Sequence, residues 1–346
     1  MLKVAVIGVG HLGKAHARIY HELPEVELIA VVDTNEENRT AIAKKYNTQA
    51  FENYHDILGK VDAVSVVTPT TSHYDVCRSF LENNVHVLVE KPITTDIDKA
   101  EKLVELSCEK NIKLQVGHIE RFNPIVMEIA KRKLKPIYIE TVRSSPFRFR
   151  SGDIGVTLDL MIHDIDIIRS LVDAKVKKVD AVGINLLGEK EDIANARIQF
   201  ENGCVANINV SRASFKPMRK MQMFCSDSYV SIDYQLMKGT IYRKPKEVDL
   251  VKLNYQQTPP KDFLGVPFEE FFFDKVLQTE QVSTTKHEPL YKELESFVEC
   301  IRENKKPQVS GEDGVEALRI AKIVCDDINE NLQLIRENLN KECGEK

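Results

Sequence analysis

The 346-residue sequence predicts an α/β domain on a parallel sheet, followed by an α+β domain on an open-faced, mostly antiparallel sheet. Three observations predict it. Residues 1–117 alternate short apolar runs with amphipathic stretches, the pattern of βαβ units. The first run, Val4 to Ile7, enters the turn Gly8-Val9-Gly10-His11-Leu12-Gly13. Between about 176 and 243, strand-like stretches follow one another with no helix between them. Domain boundaries are expected at 1–120 and 121–289, with helices over 290–335 packing back on the first domain.

Taken in order, the turn has strand before it and helix after it, from about His11 to Glu22. Gly8 permits the tight turn, Gly10 admits backbone close to a pyrophosphate, and Gly13 lets helix pack on strand. Backbone N–H groups around His11, Leu12 and Gly13 then face the phosphates with the helix dipole behind them. A second strand, Leu28 to Val32, ends in Asp33, placed to accept from a ribose hydroxyl. The first domain is therefore of the Rossmann, dinucleotide-binding kind. A carboxylate at 33 repels a 2′-phosphate, and Thr34 and Asn35 supply no arginine to attract one, so NAD is favoured over NADP.

A helix is expected over 35–46 and a buried strand over Val61 to Val67, ending in Thr68-Pro69-Thr70-Thr71. Ser72 or Thr71 should cap the helix that runs to Asn83. Val85 to Val89 is the next strand and leads into Glu90-Lys91-Pro92; Asp96 caps a helix to Lys110; Ile112 to Val116 leads into Gly117 to Pro124. Ligands of a parallel sheet lie outside the carboxyl ends of its strands. Thr68, Pro69, Thr71, His73, Glu90, Lys91, Pro92 and His118 are thus expected around the cofactor.

Beyond 124 a helix to Leu134, an extended stretch from Pro136 to Arg150 and a helix over 158–172 precede the antiparallel strands, with Asn202-Gly203 as a hairpin turn. Residues 244–286, with Pro259-Pro260 and Phe268, Phe271, Phe272 and Phe273, read as a surface loop with an apolar anchor or as a subunit-contact arm. Leu290 to Glu303 and Gly314 to Ile335 are amphipathic helices.

A formal charge of −5 with scattered lysines and arginines argues against nucleic-acid binding. No apolar run approaches the roughly 18 residues of a membrane span, and the N-terminus lacks a secretory pattern. Seven dispersed cysteines without a C-x-x-C favour neither disulfides nor zinc, and fit a reduced cytoplasm. No metal is expected.

Lys91, at a strand end, and Asp159 and His163, four apart on a helix, are the candidate catalytic groups. Oxidising an alcohol needs a base for the hydroxyl proton while hydride leaves the same carbon, and histidine suits that base. A lysine can hold the alcohol oxygen, and a carboxylate can orient both. A strand-end lysine and a satisfied interior histidine are the plain alternatives. Asp164 and Asp166 are either a solvated face or structural groups at the domain junction.

The Gly8–Gly13 turn, Thr68-Pro69 with His73, Glu90-Lys91-Pro92 and Asp159-x-x-x-His163 stand in the order of the glucose–fructose oxidoreductase / inositol dehydrogenase / MocA family, which the chain resembles over about 1–330. The resemblance implies Lys91, Asp159 and His163 as the catalytic set and an open sheet used for oligomerisation. An open face with Ile, Val and Met favours a dimer or tetramer. Gly117 to Pro124 and Asp159 to Asp166 resemble the branch that oxidises position 3 of UDP-N-acetylglucosamine to a ketone. Arg121, Arg143, Arg148 and Arg150 are available to a diphosphate, with Asn123 beside them, unless they pair with acids. Alternatives are another sugar, inositol or nucleotide sugar as substrate, or a non-catalytic NAD-binding redox sensor.

Overall fold

A computed structural model describes residues 1–147, 154–244 and 277–344. The chain divides into two compact units: residues 1–123 with 287–323, and residues 124–286 with 324–346.

In the first unit, six strands form a parallel sheet among the described residues: β1 (Leu2–Ile7), β2 (Val26–Val32), β3 (Gln49–Phe51), β4 (Ala63–Val66), β5 (His86–Glu90) and β6 (Leu114–Gly117), in the order β3-β2-β1-β4-β5-β6. The order reverses at β1, which puts the glycine turn at the switch point where ligands of such sheets bind. Strand β3, too short and polar to show in the sequence pattern, extends the β2 edge. Val4, Val6, Val64, Val66, Val87 and Val89 are fully buried, as strands covered on both faces require. The helices α1 (Gly13–Glu22), α2 (Glu36–Tyr46), α3 (Thr70–Glu82) and α4 (Ile97–Glu109) connect these strands.

Capping follows local chemistry. Asn35 Oδ1 accepts from Asn38 N and Asp96 Oδ1 from Lys99 N, so both helices begin on side-chain caps. The cap expected at Ser72 or Thr71 is not there. Helix α3 starts at Thr70 after Pro69, without a side-chain cap bond, and the Ser72 hydroxyl instead donates to Thr68 Oγ1 or the Pro69 carbonyl, both 2.8 Å away.

The second unit carries α5 (Pro124–Ala130), α6 (Ile162–Leu171) and eight strands among the described residues. These are β7 (Pro136–Ser144), β8 (Val176–Ile184), β9 (Ile193–Phe200), β10 (Val205–Ser211), β11 (Met218–Cys225), β12 (Ser228–Asp233), β13 (Lys238–Arg243) and β14 (Gln278–Val282). Their order is β14-β13-β12-β11-β7-β10-β9-β8; every pair is antiparallel except β7 with β10. Alternation sorts the faces. Ile139, Met221, Met223, Val230 and Ile241 point inward. On the other face Tyr138, Phe224, Tyr229 and Tyr242 form a continuous aromatic row across four strands, with ring centroids 4.9–5.7 Å apart. Gly203, with φ at +88°, makes the β9–β10 turn that Asn202-Gly203 predicts.

Two C-terminal helices remain. Helix α7 (Pro289–Arg302) buries Leu290, Leu294, Phe297 and Val298 in the cluster with Val4, Ile19 and Tyr20. Helix α8 (Gly311–Gly344) is longer than the apolar pattern suggests at both ends. Its residues 311–323 belong to the first unit and those from 324 to the second, where Ile328 packs under Gly183 and Asp327 accepts from Ala181 N. Among the described residues, no helix is long and apolar enough to cross a membrane.

Candidate active site

The glycine turn is built as its sequence requires. Gly8 has φ at +89°, and a Cβ there would lie 2.6 Å from the Val67 carbonyl oxygen. A Cβ on Gly13 would collide with the Gly8 carbonyl. A Cβ on Gly10 would meet nothing within 4 Å, so the backbone there borders open space. The first turn of α1 holds no acidic residue. An accessible N-terminus of a ten-residue helix with no acidic side chain in its first turn is what a pyrophosphate needs, and the residues fit NAD.

Asp33 is half-buried at the end of β2. Its Oδ2 accepts from Val9 N and its Oδ1 from Asn35 N, each at 2.8 Å. The carboxylate thus braces the glycine turn while keeping lone pairs for a ribose hydroxyl. The sequence reading missed one neighbour. Arg39, one helical turn further on, donates to the Thr34 carbonyl at 3.1 Å, reaches the Asp33 carbonyl at 3.4 Å and pairs with Glu52 at 3.5 Å. Its six-residue offset from Asp33 on a predicted helix was the available signal.

At the ends of β4, β5 and β6 stand Thr68, Glu90, Lys91, Pro92 and His118. Thr71 lies exposed in the first turn of α3. His73 is buried with both ring nitrogens on main-chain carbonyls: Nε2 on Thr68 at 2.8 Å and Nδ1 on Pro92 at 3.0 Å. Burial lowers its pKa from the ordinary value, partly opposed by those carbonyls. Glu90 faces His16 of α1 at 3.0 Å. His118 is buried, Asn123 is buried with its Nδ2 donating to Glu120 at 3.2 Å, and Arg121 pairs with Asp313 at 3.5 Å.

In the second unit, Asp159 and His163 lie on one element, but not on one regular α-helix. Thr157–Met161 is a π-helical turn, and α6 begins at Ile162. Such insertions recur at functional sites. Asp159 and His163 are half-buried while Met161, Ile162 and Ile165 are buried, so the two polar groups share the more open side. Asp164 and Asp166 are not a solvated face, as both are buried. Asp164 takes a bidentate bond from Arg143, Nε to Oδ2 at 2.8 Å and Nη2 to Oδ1 at 3.0 Å. Arg143 is therefore committed to α6, which removes it from the arginines available to a diphosphate. Arg148 and Arg150, like Phe268 and Phe271 to Phe273, lie outside the described residues.

The entry to this element is held by acids from the β8–β9 connection. The Glu191 carboxylate fills the place of a Gly155 side chain and accepts from Thr157 N at 3.1 Å, while its carbonyl accepts from Val156 N. Arg212 bonds Asp192 through Nε at 2.5 Å and the Ile154 carbonyl through Nη1 at 2.6 Å. Burial opposes ionisation of Asp192, but the Leu187 N–H, Arg212 and the Leu186 N–H outweigh it and hold its pKa below the ordinary value. Among the described residues, no three His, Cys, Asp or Glu side chains could share a metal ion.

Residues 2–118 match a family described as an oxidoreductase family with an NAD-binding Rossmann fold, and residues 135–231 match the GFO/IDH/MocA C-terminal domain. The chain is 37% identical to UDP-N-acetylglucosamine 3-dehydrogenase of Acidithiobacillus ferrooxidans, across 76% of this chain and 88% of that one. The solved structure of that protein gives a TM-score of 0.83 at 32% identity, covering 94% of this chain and 97% of that one. Identity to scyllo-inositol 2-dehydrogenase (NAD(+)) of Bacillus subtilis is 26% over 92% of each chain. Scyllo-inositol dehydrogenase of Lactobacillus casei, solved with NAD(H) and scyllo-inositol, shares the fold with a TM-score of 0.74 at 22% identity, covering 96% of this chain and 98% of that one. The dinucleotide turn, the sheet behind it and both halves of the sequence agree: the chain belongs to the Gfo/Idh/MocA family of oxidoreductases, and its cofactor is NAD.

Proposed function

We propose that the protein oxidises the hydroxyl at position 3 of UDP-N-acetylglucosamine to a ketone. The observation that carries this reading is the likeness to the Acidithiobacillus enzyme, at 37% identity over 76% of this chain. The chemistry supplied by bound NAD is acceptance of a hydride from the sugar carbon. His163 takes the hydroxyl proton, Lys91 holds the alcohol oxygen as the C–O bond gains double-bond character, and Asp159 orients them. The products are the ketone, NADH and a proton that His163 passes to solvent.

On the cofactor side, the N–H groups from Gly8 to Gly13, including those of His11 and Leu12, hold the pyrophosphate and Asp33 accepts from a ribose hydroxyl. Thr68, Pro69, Thr71, Glu90, Lys91, Pro92 and His118 border the dinucleotide, and His73 braces Thr68 against Pro92. Arg121, whose pair with Asp313 is long at 3.5 Å and engages part of the guanidinium fork, serves the substrate with Asn123 and Arg148. The aromatic row of the second unit, with Phe224 and Ile137 exposed, supports a homo-oligomer formed through that sheet; light scattering on the purified chain tests it.

The deciding experiment is NADH production from UDP-N-acetylglucosamine, UDP-glucose, scyllo-inositol and glucose 6-phosphate. The first should be turned over best. Turnover of an inositol with none of the nucleotide sugar would overturn the substrate assignment. Wild-type turnover in both Lys91→Ala and His163→Ala would overturn the catalytic one.

A further inference from the structure

We infer that His16 is a positioning residue for the reaction, setting Lys91 through the carboxylate of Glu90. The inference rests on the reading that Lys91 acts on the substrate oxygen. His16 lies on α1, three residues beyond Gly13, and is fully buried. Its Nε2 stands 3.0 Å from Glu90 Oε1. A carboxylate only accepts, so Nε2–H is the donor. The other ring nitrogen, Nδ1, has no hydrogen-bond partner among the described residues. All the polar anchoring of this imidazole is therefore directed at Glu90.

Glu90 is held on two further sides. Its Oε2 accepts from the Lys91 backbone N–H at 3.3 Å. On β6, a Cβ at Gly117 would lie 2.9 Å from Oε2 and 3.1 Å from the Glu90 Cα. The carboxylate thus sits in a slot with a donor on α1, a glycine wall on β6 and the Lys91 peptide as its third side. The carboxylate is in direct contact with the peptide that carries Lys91. A buried imidazole with an unmet nitrogen is a poor way merely to join helix to strand, because an apolar side chain of similar volume leaves nothing unmet. The arrangement suits orientation better than adhesion. It also runs through the helix whose first turn faces the cofactor phosphates.

His16→Leu removes the donor and keeps the volume; His16→Gln restores an N–H that can reach Glu90. Two readouts are taken. The first is kcat and KM with UDP-N-acetylglucosamine and NAD, beside NADH affinity by fluorescence. The second is the acetylation rate of Lys91 by acetic anhydride in the cofactor-free protein, read by peptide mass spectrometry against Lys3. His16→Leu should lower kcat by about ten- to hundredfold with NADH affinity within about threefold of wild type. The Lys91 labelling rate should change by at least about threefold, and His16→Gln should recover both properties. Wild-type kcat or wild-type labelling in His16→Leu overturns the inference, as does a His16→Gln protein no better than His16→Leu. Lys91→Ala is measured alongside: wild-type turnover there defeats the catalytic reading, whereas its loss with an indifferent His16→Leu defeats only this inference. If His16→Leu does not fold, His16→Asn, too short to reach Glu90, takes its place.

Discussion

Single side chains set the limits of this site, and the glycines do so most sharply. Gly10 and Gly13 sit three residues apart, yet their substitution should fail in different ways. Gly10→Ala places its methyl in open space, so the protein should fold with unchanged melting temperature. That methyl occupies the approach of the pyrophosphate, and NADH affinity by fluorescence titration should fall by about tenfold or more, about 1.4 kcal/mol. Gly13→Ala drives a methyl into the Gly8 carbonyl and should cost both affinity and stability. The Arg143–Asp164 pair makes a second case. Both side chains are almost wholly buried, at 2% and 1% exposure. Asp164→Asn removes the buried carboxylate that takes a bidentate bond from Arg143 and should destabilise by about 3–5 kcal/mol in urea melts. The double variant Arg143→Met/Asp164→Leu should lose less than the single change, because both buried charges are removed together.

At the scale of elements, the first unit was legible because its signals are local. Glycine spacing, Asp96 as a cap, and continuous valine runs each act within a few residues. What the sequence hid was set by tertiary partners. Strand β3 is three residues long and exists because β2 offers it an edge. The π-helical turn under Asp159 has the same periodicity as a helix to the eye, since one extra residue in a turn leaves no compositional mark. Asp164 and Asp166 fit a solvated face or structural groups equally well in sequence; Asp164 is buried because Arg143, 21 residues earlier, meets it. Arg39 is six residues from Asp33 in sequence and reaches it only because helix α2 carries its guanidinium back to the Asp33 and Thr34 carbonyls.

For the molecule as a whole, titration links stability to acidity. His73 and His86 are both held below the ordinary histidine value of 6.5, chiefly by burial, with Lys113 adding to the effect on His86. Between that value and their folded values, the unfolded chain binds protons that the folded chain refuses. Stability should therefore be full above about pH 7 and fall as pH drops toward 5, by up to about 1.4 kcal/mol per unit for each histidine. Asp192 has the opposite chemistry and the same direction: its depressed pKa contributes stability above the ordinary carboxylate value of 3.8, lost as pH falls further. Urea unfolding between pH 5 and 7.5 checks the histidine part. His73→Gln should flatten the slope, and an unchanged slope would remove His73 from the account.

The acids that grip the start of the Asp159 element sit in a surface connection, between Ile184 and Ile193, whose Leu186 is 64% exposed. Surface loops ordinarily accept added residues. This one is a measured span, because Glu191 must meet Thr157 N and Asp192 must meet Arg212 at fixed places. Two glycines inserted after Gly188 should cut turnover severely, while the same insertion at Asn202-Gly203 should pass almost unnoticed, with NADH production and melting temperature as the checks. Among descendants of this chain, length should therefore be free to drift at the β9–β10 turn and frozen one hairpin earlier, however much the residues there change.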